Sequence, residues 1–195
     1  MPRPKTLSDE KVLEIALALI HERGPEALTF ESLARACGLS PATLVQRFKT
    51  KAGLKQATLL AAWDRLDART QELGASVART SEGAVDLLVD LSRGYGEIEA
   101  YAEGLLVLRE DLRDPVLRAR GAAWRQRLSA ALDACFANAT DAPRDIGLLM
   151  ASQWQGSLLW WGFDPQGRVE DFVETSLRQF VAALLPAHGS PRKSA

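Results

Sequence analysis

Apolar side chains recur three and four positions apart along nearly the whole chain. Val12, Ile15, Ala16 and Leu19 place one apolar face on a helix over about Ser8 to Arg23, which Gly24-Pro25 ends. Leu33, Ala34 and Ala36, then Leu44 and Phe48, mark two short helices. Ala52 to about Leu73 is apolar almost all round, through Leu54, Ala57, Leu59, Leu60, Ala61, Ala62, Trp63 and Leu66, so this helix must be covered on more than one side. An interhelical loop is expected over Gly74 to Gly83, GASVARTSEG. Two stripes follow, Ala84, Leu88, Leu91 and Tyr95, then Ile98, Tyr101, Ala102 and Leu105, with Gly94 and Gly96 between them. Asp114-Pro115 caps and starts a long helix that turns Leu117, Trp124, Leu128, Leu132 and Cys135 inward. The loop Asn138 to Pro143 leads to a helix over about Arg144 to Trp161, and a last one spans Val169 to Leu185. No stretch alternates with period two and none repeats, so the pattern predicts an all-α chain.

Leu28 to Lys51, LTFESLARACGLSPATLVQRFKTK, carries the densest set of signals. Thr29 is placed to cap the first short helix, Gly38 to stop it, Leu39 to fill the angle between crossing helices, and Ser40-Pro41 to start the second. With Leu44 and Phe48 facing inward, Ala42, Thr43, Gln46 and Arg47 form the outer face. Small residues at the helix start and hydrogen-bonding side chains one turn later are what a helix needs to enter a major groove. Gln pairs with adenine, Arg with guanine, and Ala or the Thr methyl touches the thymine methyl. Thr29 at one helix start and Lys49 and Lys51 at the exit are placed for phosphates. The candidate DNA-binding residues are therefore Thr29, Ser40, Pro41, Ala42, Thr43, Gln46, Arg47, Lys49 and Lys51. Upstream, Arg3 and Lys5 lie in an arm able to reach phosphates or the minor groove.

Residues 10 to 54 resemble the N-terminal domain of TetR-type transcriptional regulators, on the first helix, LTFESLARACGLSPATL, and the aromatic-Lys exit RFKTKAGL. The resemblance is close there and architectural beyond. It implies a homodimer on a palindromic double-stranded DNA operator, usually a repressor released by a small ligand held in the C-terminal domain. One departure is visible. The family usually has Tyr, commonly a phosphate contact, where this chain has Val45, which bears on one backbone contact and not on the fold.

Charge adds a local rather than a bulk signal. Residues 1 to 51 carry eight Lys or Arg against six Asp or Glu, a balance of +2, which leaves -3 for the remainder of a chain of net charge -1. Specific, salt-sensitive DNA binding is expected from this, not general coating of nucleic acid. MPRPKTLSDE is not a signal sequence and no apolar run reaches membrane-spanning length, so a cytoplasmic protein without a membrane partner is expected. Cys37 and Cys135 are expected to be reduced packing residues. His21 and His188 stand alone, and no phosphate loop or nucleophile elbow is present, so neither a metal, a cofactor nor an enzymatic activity is expected.

The architecture predicted is a three-helix, helix-turn-helix domain over residues 1–51, an all-helical effector-binding and dimerisation domain over 52–186 and a flexible tail over 187–195. In the helix ending at Trp161, one face is Ile146, Leu149, Met150 and Trp160 and the other is Gly147, Ala151, Trp154 and Leu158, so neither is water-facing. One serves the domain and the other a second copy in a four-helix interface, for which Ile146, Leu149, Trp154, Leu158, Trp161, Phe172, Leu177 and Phe180 are the candidates. A cavity for a small apolar or aromatic effector would draw on Tyr95, Tyr101, Trp124, Trp154 and Trp160, with Arg109 and Gln153 as polar anchors. The alternatives are a dimeric DNA-binding regulator without an effector and a helical enzyme.

Overall fold

The computed structural model describes residues 7–185; the arm bearing Arg3 and Lys5 and the tail over 187–195 lie outside them. The described residues form helices and no strand: α1 (Asp9–Arg23), α2 (Phe30–Cys37), α3 (Pro41–Phe48), α4 (Lys51–Ser76), α5 (Ser81–Ser92), α6 (Ile98–Arg113), α7 (Pro115–Cys135), α8 (Ile146–Phe163) and α9 (Val169–Leu184), with one 3-10 turn at Pro25–Ala27. They divide into two units, one of residues 7–69 with Glu97–Trp124, the other of Thr70–Gly96 with residues 125–185.

In the first unit, short polar side chains set the helix starts. Ser8 Oγ accepts from the Lys11 N–H, Ser40 Oγ from the Thr43 N–H, and Thr29 and Ser32 each accept from the other's backbone N–H. Each such cap satisfies an otherwise orphaned donor and is worth about 1 kcal/mol. Gly38 takes φ +70°, the left-handed turn that ends α2. Thr50 Oγ1 accepts from the Gly53 N–H and so caps α4, and Gly53 must be glycine because a Cβ there would lie 2.6 Å from the Phe48 carbonyl oxygen. Val12, Ala16, Ile20, Leu28, Leu33, Leu44, Leu54 and Leu59 close the core between α1, α2, α3 and α4, and Leu117 of α7 joins it.

The α6–α7 corner is held to α4 by polar pairs. Lys55 Nζ donates to Glu110 Oε2 at 2.5 Å, Gln56 Nε2 to Asp114 Oδ2 at 2.8 Å, and Trp63 Nε1 to Asp111 Oδ1 at 3.1 Å. Arg120 of α7 donates to Asp64 and Asp67, and the Trp63 ring lies against Gly121 and Trp124. The inward line of α6 differs from the one its apolar residues predict. Ala102 and Leu105 are exposed, while Tyr101 and a carboxylate, Asp111, are buried, because the indole N–H of Trp63 gives that carboxylate a donor.

Burial pushes the Asp111 carboxyl up to about 6, aided by the charges of Asp114 and Glu110 and opposed by the Trp63 hydrogen bond. The unfolded chain releases this proton near 3.8, so between about pH 4 and 6 the folded state binds more protons and loses stability as pH rises. Above pH 6 the whole penalty is present. Asp111→Asn is therefore expected to raise stability by about 1 to 2 kcal/mol at pH 7.5, with the difference from wild type shrinking to near zero at pH 4. Urea unfolding of both proteins at several pH values checks this; a difference independent of pH contradicts it.

In the second unit the predicted loop Gly74 to Gly83 is mostly helix. α4 continues through Ser76 and α5 starts at Ser81, leaving 77–80 as the connection. Both glycines serve close packing instead of a turn. A Cβ on Gly74 would lie 3.3 Å from the Ala131 Cβ, and one on Gly83 would lie 2.0 Å from the Ala78 carbonyl oxygen. Trp154 and Trp161 of α8 are buried, the first donating from Nε1 to Ser92 Oγ at 2.8 Å, and Leu128, Leu132 and Cys135 of α7 face inward as their spacing predicts. Cys37 and Cys135 are free thiols.

The faces of α8 are phased differently from either predicted face. Ile146, Gly147, Met150, Ala151, Trp154, Leu158 and Trp161 are all buried in their own chain. Leu148, Leu149, Leu159, Trp160 and Phe163 form the exposed strip, joined by Phe172 of α9. Because α8 is apolar all round, its spacing carries no phase, and packing against α5 and α9 decides which side is covered.

Candidate nucleic-acid interface

The α2–turn–α3 hairpin presents its candidate side chains from rigid positions. Thr29 is engaged with Ser32 in a reciprocal cap, and Ser40 Oγ lies 2.9 Å from Thr43 Oγ1. Pro41 occupies the first turn of α3, and Ala42 and Gln46 are exposed on its outer side. Lys49 closes the helix at φ +66° and donates from Nζ to the Gln46 carbonyl oxygen at 2.7 Å. Lys51 Nζ donates to the Glu26 carbonyl oxygen at 3.2 Å, with the Glu26 carboxylate 3.5 Å away.

Arg47 is turned inward along the hairpin rather than outward. Its Nη1 donates to the Leu7 carbonyl oxygen at 2.8 Å and to Asp9 Oδ1 at 3.0 Å, and the side chain is 20% exposed. The guanidinium thus ties α3 to the start of α1, a link between residues 38 to 40 apart that spacing within α3 could not reveal. Val45 stands on the outer face, 42% exposed. The spacing 42, 45, 46, 49 places it there with Ala42, Gln46 and Lys49, a signal overlooked when polar residues alone are taken as readers.

The effector candidates are packed or exposed in ways their spacing does not separate. In the first unit Tyr101 and Trp124 are buried, Trp124 with its ring centroid 5.6 Å from that of Trp63, and Arg109 is exposed beside Glu110. In the second, Tyr95 lies 6.2 Å from Trp154 and Gln153 Nε2 donates to Ser176 Oγ at 2.9 Å, while Trp160 is 68% exposed. Each unit also has an open cleft lined by none of these seven. One, of about 440 Å³, runs between Lys55, Gln56, Glu110 and Arg113, and the other, of about 290 Å³, between Glu82, Val85, Arg178 and Val181. No group of residues able to hold a metal ion and no helix long and apolar enough to cross a membrane occurs among the described residues.

Of the dimer candidates, Ile146, Trp154, Leu158, Trp161 and Leu177 are covered within their own unit and offer nothing for a second copy to touch. Leu149 and Phe172 face outward and Phe180 is half-buried.

A capped hairpin of eight-residue helices on a three-helix core, with α3 outward, defines a helix-turn-helix DNA-binding transcriptional regulator. Residues 12–58, from α1 into α4, match the family model for bacterial regulatory proteins of the tetR family, so the DNA-binding domain is of that type. An uncharacterized HTH-type transcriptional regulator of Mycobacterium tuberculosis is 25% identical over 98% of this chain and 93% of its own length. Two solved structures share the fold. A regulator assigned to the TetR family from Mesorhizobium loti has a TM-score of 0.66 at 18% identity, covering 91% of this chain and 98% of its own. A transcriptional regulator from Saccharomonospora viridis, solved in complex with choline, has a TM-score of 0.68 at 20% identity, covering 88% and 93%.

Proposed function

We propose that the protein is a cytoplasmic, ligand-responsive repressor that binds a palindromic operator as a homodimer, with residues 1–51 as its reading domain and 52–186 as its effector and dimerisation domain. The observation that carries the dimer is the exposed strip of Leu148, Leu149, Leu159, Trp160, Phe163 and Phe172, an apolar surface of the kind that a second copy covers. A two-fold dimer places two α3 helices in successive major grooves about 34 Å apart, which calls for a two-fold operator. Ala42 and Gln46 then face base edges, and Thr29, Ser40, Thr43, Lys49 and Lys51 lie on the phosphate side. Arg47 holds α3 in register.

For the effector, the aromatic surfaces of Tyr95 and Trp154 in one unit and of Tyr101 and Trp124 in the other favour a small apolar or aromatic molecule, with Arg109 and Gln153 as candidate polar anchors. The choline complex of the Saccharomonospora viridis regulator supports a small organic ligand in this fold. To act as a switch the ligand must prefer the released geometry by about 1 to 3 kcal/mol, and α4, continuous from Lys51 to Ser76, is the covalent route for the signal. A regulator without an effector is the second reading, favoured by the close packing of Trp154, which is 1% exposed.

Fluorescence anisotropy with the DNA flanking the protein's own gene and a scrambled duplex tests the reading. Saturable binding of two protomers to the first duplex only, weakened about tenfold or more by Gln46→Ala, is expected. Release of that complex by a member of a panel of small aromatic and quaternary-ammonium compounds separates the ligand-responsive reading from the effector-free one.

A further inference from the structure

The outer face of α3 has an unusual balance of chemistry. Arg47, the side chain expected to pair with guanine, is taken up by Leu7 and Asp9, and the Thr43 hydroxyl lies against Ser40, so Gln46 is left as the open side chain for a polar base edge. Ala42, Val45 and Gln46 remain, adjacent on one face. Val45, 42% exposed, is the one large apolar side chain that is exposed among the described residues up to Lys51, in a hairpin whose other large apolar residues are buried or half-buried. Two methyl groups held in water on a groove-facing helix gain nothing until something apolar covers them. The major groove offers one apolar group, the C5-methyl of thymine, and the amide of a glutamine matches adenine N6 and N7 in the same class of base pair.

We propose that α3 reads A·T pairs, with Val45 packed on a thymine methyl, Ala42 lining the same strip and Gln46 paired with an adenine, and with no guanine bound by Arg47. This rests on the reading of the chain as a sequence-specific DNA binder and names what it is specific for. Val45 is then a specificity-determining residue, and each half-site carries a thymine whose methyl group, not its hydrogen-bonding edge, is recognised.

Selection of the full-length protein on random duplexes first supplies a site, and the selected duplex is then remade with deoxyuridine in place of each thymine in turn, which removes one methyl group and nothing else. At one thymine per half-site the wild-type protein is expected to lose about three- to tenfold in affinity. Val45→Ala, exposed and a better helix former, is expected to bind the thymine duplex as weakly as wild type binds the uracil one, and to be indifferent to the exchange to within about twofold. Val45→Thr, which keeps one methyl, should fall between them. Specific binding with no sensitive thymine, or with Val45→Ala as sensitive as wild type, overturns the methyl contact and leaves the regulator standing. Selection that enriches no sequence overturns the DNA-reading function and this inference with it.

Discussion

Glutamate at both Leu159 and Trp160 is expected to leave a folded monomer with at least about a hundredfold lower affinity for the operator. These side chains are 44% and 68% exposed in the single chain, so replacing them removes little packing from their own unit. In a dimer they would be covered, and two carboxylates on each copy would face each other across an apolar contact from which water is excluded. The desolvation and repulsion together cost several kcal/mol, and tryptophan is among the residues that most often dominate such contacts. Once separated, each protomer holds one half-site, and the gain from binding two linked half-sites is lost. Light scattering on a size-exclusion column reads the mass and anisotropy the affinity. A variant that stays dimeric with unchanged DNA binding shows that the interface lies elsewhere.

Gly147→Ala should destabilise the protein by about 3 kcal/mol or more, lowering the thermal midpoint by roughly 6 to 12 °C for a chain of this size. The position is near the start of α8, where the helix touches α7. A Cβ there would lie 2.1 Å from the Ser129 carbonyl oxygen and 2.9 Å from Asp133 N, both backbone atoms that cannot rotate away. The Gly147 N–H also donates to Asp133 Oδ1 at 2.7 Å, a bond that the displaced helix must stretch or lose. Gly104→Ala on α6 gives the opposite sign. Nothing lies within 4 Å of its Cβ position, so alanine only removes backbone freedom from the unfolded chain and is expected to stabilise by up to about 1 kcal/mol. Thermal unfolding followed by circular dichroism compares the two, and a Gly147→Ala protein melting with wild type would mean that α7 and α8 have room to part.

Both results depend on contacts that differ in kind from those that made the reading head legible. The hairpin announces itself because its determinants are local. The caps at Ser8, Thr29 and Ser40 each bond three residues ahead, and the left-handed Gly38 follows directly on the helix it ends. Asp114, accepting from the N–H groups of Val116 and Leu117, starts α7 by the same short-range means. A side chain that bonds within its own turn does so largely whatever the rest of the chain does, so helix starts, the all-α class and the outward set around Ala42 and Gln46 follow from residue order and spacing.

Tertiary contact decided the rest. Arg47 reads as a base contact until Leu7 and Asp9 are brought beside it, and Gly74 and Gly83 read as a loop until Ala131 and the Ala78 carbonyl are seen to need their missing side chains. Asp111 sits on what looks like a charged surface until Trp63, 48 residues away, supplies the donor that lets it be buried. On α8, apolar on every side, only packing against α5 and α9 separates the covered Trp154 and Trp161 from the exposed Trp160 and Phe163. The sequence by itself determined the all-helical class, the caps that start most helices and the DNA-reading hairpin, because those rest on hydrogen bonds between near neighbours. Which faces are buried, which charges are spent inside the chain and which surface is left for another molecule were decided by the tertiary structure, because they depend on residues distant in the chain arriving at the same place.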